Sequence, residues 1–135
     1  MSANERIQTI YVDEGHRHTS PIPQGVKAGG FIFLSALRGV DITTQKVEED
    51  DPEAQVRVLF ENMKRALAAA GATLSDVVRV AVYMTTINNR QVFNKVWAEY
   101  FGDPAPARFA VQVEDFGAPG DKSKFLCEVT ALDPG

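Results

Sequence analysis

A chain of 135 residues has the length of one domain and can bury a core without disulfide or metal staples. Its 44% apolar and 24% charged residues are ordinary for a globular protein, with no internal repeat, low-complexity tract or long linker. The formal charge of −4 argues against a broad basic footprint for nucleic acid, and the longest apolar runs fall far short of a bilayer span.

Taken in chain order, Arg6 to Val12 suits a first strand by its β-branched and aromatic residues. Asp13 to Gly25 is rich in Gly, Pro and Ser/Thr and reads as a loop. Val26 and the run Phe31 to Ser35 are the most apolar extended stretch so far, with Gly29-Gly30 placed for a tight hairpin-type turn. The polar residues after Ser35 form a second loop. Asp51-Pro52 then marks a helix start: Asp at the N-cap accepts from orphan amides and Pro suits the first helical position. That helix is predicted to run to about Ala70, burying Val56, Leu59, Phe60, Met63, Leu67 and Ala70, with Gly71 as its stop.

Val77 to Thr85 is dense in β-branched residues and reads as a central strand. Asn88 or Asn89 is expected to cap a second helix through about Phe101, burying Val92, Phe93, Val96, Trp97 and Tyr100 before Gly102 ends it. A strand follows from the prolines at 104 and 106 through Val113, and a last strand spans Lys124 to Ala131. Alternation of strands and helices through the middle predicts an α+β domain with a single mixed β-sheet and two helices packed on one face. The other face is too apolar for solvent, which predicts that further copies of the chain cover it.

The Walker loop, G-x-G-x-x-G, G-x-S-x-G and H-E-x-x-H are absent, so nucleotide-cradle and zinc-hydrolase readings lack their usual support. His16 and His18 are spaced to share one side of an extended backbone, but without a third ligand they read as a solvated loop, not a metal site. The lone Cys127 cannot make an internal disulfide, which fits a reducing compartment, and mid-strand it reads as a small buried hydrophobe. The N-terminal M-S-A-N-E-R-I-Q has early charges and no apolar core, so no signal peptide is expected and a soluble, cytoplasmic protein is. Glu128 is an acid on a strand, facing solvent or else a cavity or sheet edge. Gln24 and Asn94 each have plain structural readings, finishing a turn and facing out from a helix.

Arg108, in P-A-P-A-R-F-A-V-Q-V, stands apart. Alternation sends Phe109, Val111 and Val113 one way and Arg108, Ala110 and Gln112 the other, so the guanidinium leaves the face opposite the bulky apolar residues. The prolines bias the preceding residues toward extended conformations and give the arginine a stiff support. A ligand-gripping arginine and a solvated one at a strand start are both open on this pattern.

The ordered segments Q-G-V (24 to 26), F-I-F-L-S (31 to 35), A-Q-V-R-V-L-F-E-N-M-K-R-A-L-A-A-A-G-A (54 to 72), D-V-V-R-V-A-V-Y-M-T (76 to 85), F-N-K-V-W-A-E-Y-F-G (93 to 102) and P-A-R (106 to 108) resemble the Rid family of reactive-intermediate deaminases. This family is also called the YjgF family, and its relatives carry ribonuclease and translation-inhibitor labels. The resemblance spans nearly the whole chain. It implies a chorismate-mutase-like fold, a homotrimer with clefts between subunits, and hydrolysis of carboxylate-bearing enamines or imines such as 2-aminoacrylate, with no metal or organic cofactor. On the same resemblance Arg108 holds the substrate carboxylate, and Ser35 and Asn94 fall on family positions. The chain departs from the family pattern at Ile22, where a tyrosine is usual, at Leu37 and Ala110, and at Leu126, onto which the usual final-strand glutamate falls. Glu128, one pleat along on the same face, is the expected water-orienting residue. These departures make the pocket more apolar, which implies a bulkier substrate or binding without efficient turnover.

Overall fold

The computed structural model describes residues 4–12 and 22–135. The elements in chain order are β1 (Gln8–Ile10), β2 (Gly25–Ala28), β3 (Phe31–Leu34), α1 (Pro52–Ala69), β4 (Val77–Met84), α2 (Arg90–Phe101), β5 (Ala107–Gln112) and β6 (Phe125–Leu132). One six-stranded mixed sheet runs β1-β2-β3-β6-β4-β5, antiparallel throughout except where β4 lies parallel to β5 across the α2 connection. This is the expected α+β layout. The first strand is shorter than the sequence implies, and the glycine pair splits the next run into a hairpin. Both Gly29 and Gly30 have positive φ, 60° and 85°, as a primed two-residue turn demands. The proposed loop from Asp13, with His16 and His18, lies mostly outside the described residues.

The local signals of α1 act as expected. The Asp51 carboxylate accepts from the Ala54 amide at 3.0 Å, Pro52 opens the helix, and Gly71 beyond its end has φ 81°. For α2 the capping expectation is corrected. Asn89 is at the N-cap but makes no side-chain cap bond, and the Thr86 hydroxyl instead accepts from the Asn88 amide where a 3-10 turn, Ile87–Asn89, precedes the helix. A short side chain ahead of that turn reaches its amide, whereas Asn89 already has near-helical backbone angles.

Strand alternation sorts the sheet into two faces. Ile32, Leu34, Val80, Val82, Met84, Phe125, Cys127, Val129 and Ala131 are buried with the apolar stripe of α1 and with Phe93 and Val96 of α2 in one core. Phe60 joins the helices, stacked on Tyr100 at 4.8 Å and in tilted or edge contact with Phe93, Trp97 and Phe101. The opposite face carries Phe31, Phe33, Phe109, Val111 and Leu132, each between 38% and 50% exposed. Strand register places Phe31 opposite Leu132 and Ala81 between Glu128 and Phe109, so these side chains share one surface.

Two amides that the apolar-stripe reading of α1 passed over fasten the long loops to the helix. Gln55 is 1% exposed; its amide nitrogen donates to the Glu49 and Lys122 carbonyls, and its oxygen accepts from the Lys124 amide at 2.9 Å. Asn62, one heptad later, donates to the carbonyls of Arg38 and Val40 and accepts from Arg65. Buried polar groups are kept only where they are bonded, and here their partners are loop backbone that lacks any ladder.

Candidate functional site

Arg108 occupies the second position of β5, with its side chain on the helix-covered face, because β5 pairs in parallel with β4 so that Arg108 lies beside Val80 and Ala110 beside Val82. The guanidinium rests on two rings of α2: its central carbon is 4.8 Å from the centroid of Trp97 and 5.3 Å from that of Phe93. Nη2 donates to the Asn94 side-chain oxygen. Asn94 and Trp97 are three residues apart on α2 and so share a face. Rings of α2 therefore lie against the guanidinium, and the side chain as a whole is only partly buried.

Among the described residues no carboxylate lies within ion-pair distance of Arg108. Arg38 pairs with Asp121 at 2.7 Å and Arg57 with Glu53 and Glu99, whereas Arg79, like Arg108, lies over a ring and is in no ion pair among the described residues. Burial pulls the Arg108 guanidinium below its usual value; the nearby Cys127 opposes that shift and the cation of Arg90 adds to it. It stays charged, since arginine does not lose its proton in proteins. A partly desolvated cation without a counter-ion is costly unless an anion completes it.

Cys127 lies on the same face of the sheet, fully buried in the core, and burial pushes its thiol well above the ordinary value. It is a packing residue, as expected, and no thiolate is available as a nucleophile. Among the described residues no three His, Cys, Asp or Glu side chains converge on a point that a metal could occupy.

The remaining expected site residues fall in different places. Asn94 and Ala110 stand beside Arg108, Ala110 one pleat along the same face. Glu128 does not: it is exposed on the open face, in register with Ala81 and Phe109, so the sheet separates it from Arg108 within one chain. Leu126 is half-buried on that open face as well. Leu37 is corrected from pocket wall to core. It is 1% exposed, and its backbone pairs with Cys127 in a bridge with both hydrogen bonds at 2.9 Å, which draws the side chain inward. Ser35 leaves β3, its hydroxyl donating to the Pro23 carbonyl at 2.7 Å, and Ile22 is 48% exposed just before it. Gln24 is buried, its carbonyl accepting from the Ser35 amide, in keeping with its turn reading. Since β3 and β5 are separated by three strand spacings, Ser35 and Ile22 lie at least roughly 14 Å from Arg108 across the sheet of one chain.

Sequence reasoning singled out Arg108 and, separately, Asn94, but not the bond between them and not the ring platform. Phe93 and Trp97 were assigned to the core by helical spacing, and a core ring and a ring under a guanidinium have the same period. The available signal was the pairing of aromatic residues at i and i+4 around an asparagine, F-N-K-V-W, ahead of a strand-borne arginine.

A model of the family described as Endoribonuclease L-PSP matches residues 17–132. A RutC family protein of Pyrococcus horikoshii is 38% identical over 106 residues, 78% of this chain and 84% of that one. Among solved structures, RidA from the Antarctic bacterium Psychrobacter sp. superposes with a TM-score of 0.85 at 33% identity, covering 93% of this chain and 98% of that one. TdcF of E. coli with bound serine superposes with a TM-score of 0.83 at 28% identity, over 93% and 98% of the two chains.

Proposed function

Because this chain belongs to the endoribonuclease L-PSP family, the YjgF/RutC/Rid family, we propose that it is a hydrolytic deaminase of carboxylate-bearing enamines or imines, releasing a 2-keto acid and ammonia. The observation that carries this reading is Arg108, pinned by Asn94 and two rings with no carboxylate partner among the described residues. An open guanidinium edge fits a carboxylate in bidentate fashion. The serine bound to the E. coli relative is a ligand of that chemistry.

Once the enamine has tautomerised, water adds to the imine carbon, the nitrogen takes the protons and leaves as ammonia, and the carbon–oxygen bond becomes the ketone of the product. Fixing the carboxylate beside the electrophilic carbon supplies much of what such a reaction needs, since positioning alone can be worth several kcal/mol of barrier, on the order of 7 or more in favourable cases. Neither metal nor organic cofactor enters this scheme.

Arg108 is only partly buried in a single chain, and the apolar open face of its sheet is unsuited to water. Both points support a homotrimer in which Ile22 and Ser35 of one copy complete the cleft that Arg108 of the next begins, with Glu128 reaching bound water only across such a boundary. Ile22 and Ala110 keep the cleft apolar, which suits a substrate bulkier than 2-aminoacrylate. A single buried cysteine suits a reducing, cytoplasmic setting.

The second reading is a non-catalytic trimer that binds small carboxylates. It is favoured by the position of Glu128 across the sheet and by a Cys127 thiol held protonated, so that neither serves as an acid–base side chain beside Arg108 in its own chain. RNA cleavage has less support, given the net charge of −4 and the same lack of an acid–base pair. The readings separate in an assay in which a dehydratase supplies 2-aminoacrylate. Ammonia release several-fold above buffer, abolished by Arg108→Ala, is expected of the deaminase; saturable binding of 2-ketobutyrate without faster release marks the binder and refutes turnover.

A further inference from the structure

We propose that Trp97 is a positioning residue for Arg108: its indole fixes the plane of the guanidinium, and Asn94 fixes its rotation within that plane, so the free edge is presented to a carboxylate already oriented. This rests on the reading of Arg108 as the carboxylate anchor.

The geometry of α2 supplies both constraints from one helix face. Contact with the Trp97 ring, continued by Phe93 whose centroid is 6.0 Å from that of Trp97, removes tilting of the guanidinium. The bond from Nη2 to Asn94 removes spinning in the plane. Four of the five N–H groups of a guanidinium then remain for a ligand, and among the described residues none of them has a protein acceptor. Trp97 cannot easily turn away, because Phe101 at 4.5 Å and Phe60 at 6.3 Å hold its other sides. An arginine on a flexible stem gives up rotamer freedom on binding. One that is stacked and pinned has given it up during folding, so less affinity is lost when the ligand arrives. Leucine in place of Trp97 keeps an apolar core contact but offers no π-face to a cation, whereas phenylalanine keeps both.

Trp97 is the single tryptophan of the chain, so its emission reports on the guanidinium above it. The experiment titrates the full-length protein with 2-ketobutyrate, with 2-butanone as the control lacking a carboxylate. It follows Trp97 emission in the wild type, and calorimetric binding in the wild type, Trp97→Phe, Trp97→Leu and Arg108→Ala. A saturable change in wild-type emission with the keto acid alone is expected. Trp97→Phe should bind within about threefold of wild type and Trp97→Leu roughly 5- to 30-fold more weakly. The Arg108 Nε–H proton resonance should be moved upfield by the rings in the wild type and Trp97→Phe and return toward its free position in Trp97→Leu, a change that loss of packing elsewhere does not produce. Binding by Trp97→Leu within twofold of wild type, or an unshifted Arg108 resonance in the wild type, overturns the positioning role and leaves the anchor reading intact. No saturable binding in the wild type, or binding indifferent to Arg108→Ala, overturns both.

Discussion

Replacing Gln55 with leucine keeps the volume of the side chain and removes all three of its hydrogen bonds. The Glu49 and Lys122 carbonyls and the Lys124 amide lose a partner that is itself 1% exposed. Each neutral bond contributes about 1 kcal/mol net, and more when its former partner is left unsatisfied, so three come to roughly 3 to 5 kcal/mol; the apolar gain of leucine offsets about 1 to 2 of this. A net loss of about 2 to 3 kcal/mol follows at the centre of these ranges. For 135 residues the unfolding entropy is about 0.28 kcal/mol per kelvin, which turns that loss into a fall in melting temperature of about 10 °C. The measurement is a thermal melt at fixed protein concentration, since self-association would shift the midpoint by mass action. Gln55→Glu is the sharper control. Only its protonated form can donate to those carbonyls, so its folded pKa is raised above the ordinary carboxylate value, and stability present at low pH is lost as pH rises through the folded value. Gln55→Glu should thus be less stable at pH 7 than at pH 4 relative to wild type. A loss below about 1 kcal/mol for Gln55→Leu, or no pH dependence for Gln55→Glu, would refute the view that these bonds hold the two loops.

The Tyr100 hydroxyl donates to Glu61 at 2.7 Å; burial first, and then that carboxylate, push the phenol up to about 12 from 10.0, while the same bond holds the Glu61 carboxyl below its ordinary 4.5. The raised phenol contributes stability that is complete below pH 10 and lost between 10 and 12. The lowered carboxyl contributes stability present above pH 4.5 and lost as pH falls through its folded value. Tyr100→Phe, costing about 1 kcal/mol at neutral pH, should flatten both limbs of the stability profile from denaturant melts; unchanged limbs would count against the bond. Phe33 is 44% exposed on the open sheet face, so Phe33→Asp should leave a single chain folded but lower the mass in sedimentation equilibrium from that of the proposed trimer to that of a monomer. A wild-type protein already monomeric at micromolar concentration would remove the proposed cleft.

Much of the fold was legible because its signals are local. Asp51-Pro52, Gly71 and the Gly29-Gly30 pair act through backbone angles and orphan amides within a few residues, and strand alternation alone set Arg108 on the face away from Phe109 and Val111. Pairing order was not legible in this way: that β6 inserts between β3 and β4 depends on contacts between residues about a hundred positions apart, as in Phe31 with Leu132. The same limit applied to the site. Leu37 looked like a pocket residue from its place in a motif, yet a bridge to Cys127 draws it into the core, and Glu128 shares a strand with Cys127 but faces the other way.

By itself, then, the sequence determined which residues are helical or extended, which side of each strand is apolar, and that one arginine stands on a stiff extended support. Only the tertiary structure decided that α2 would lay Trp97, Phe93 and Asn94 against that arginine. The reason is range: propensity and alternation are set by neighbours in the chain, whereas the setting of a charge is set by whatever the fold brings beside it, and here that came from a helix fourteen residues upstream.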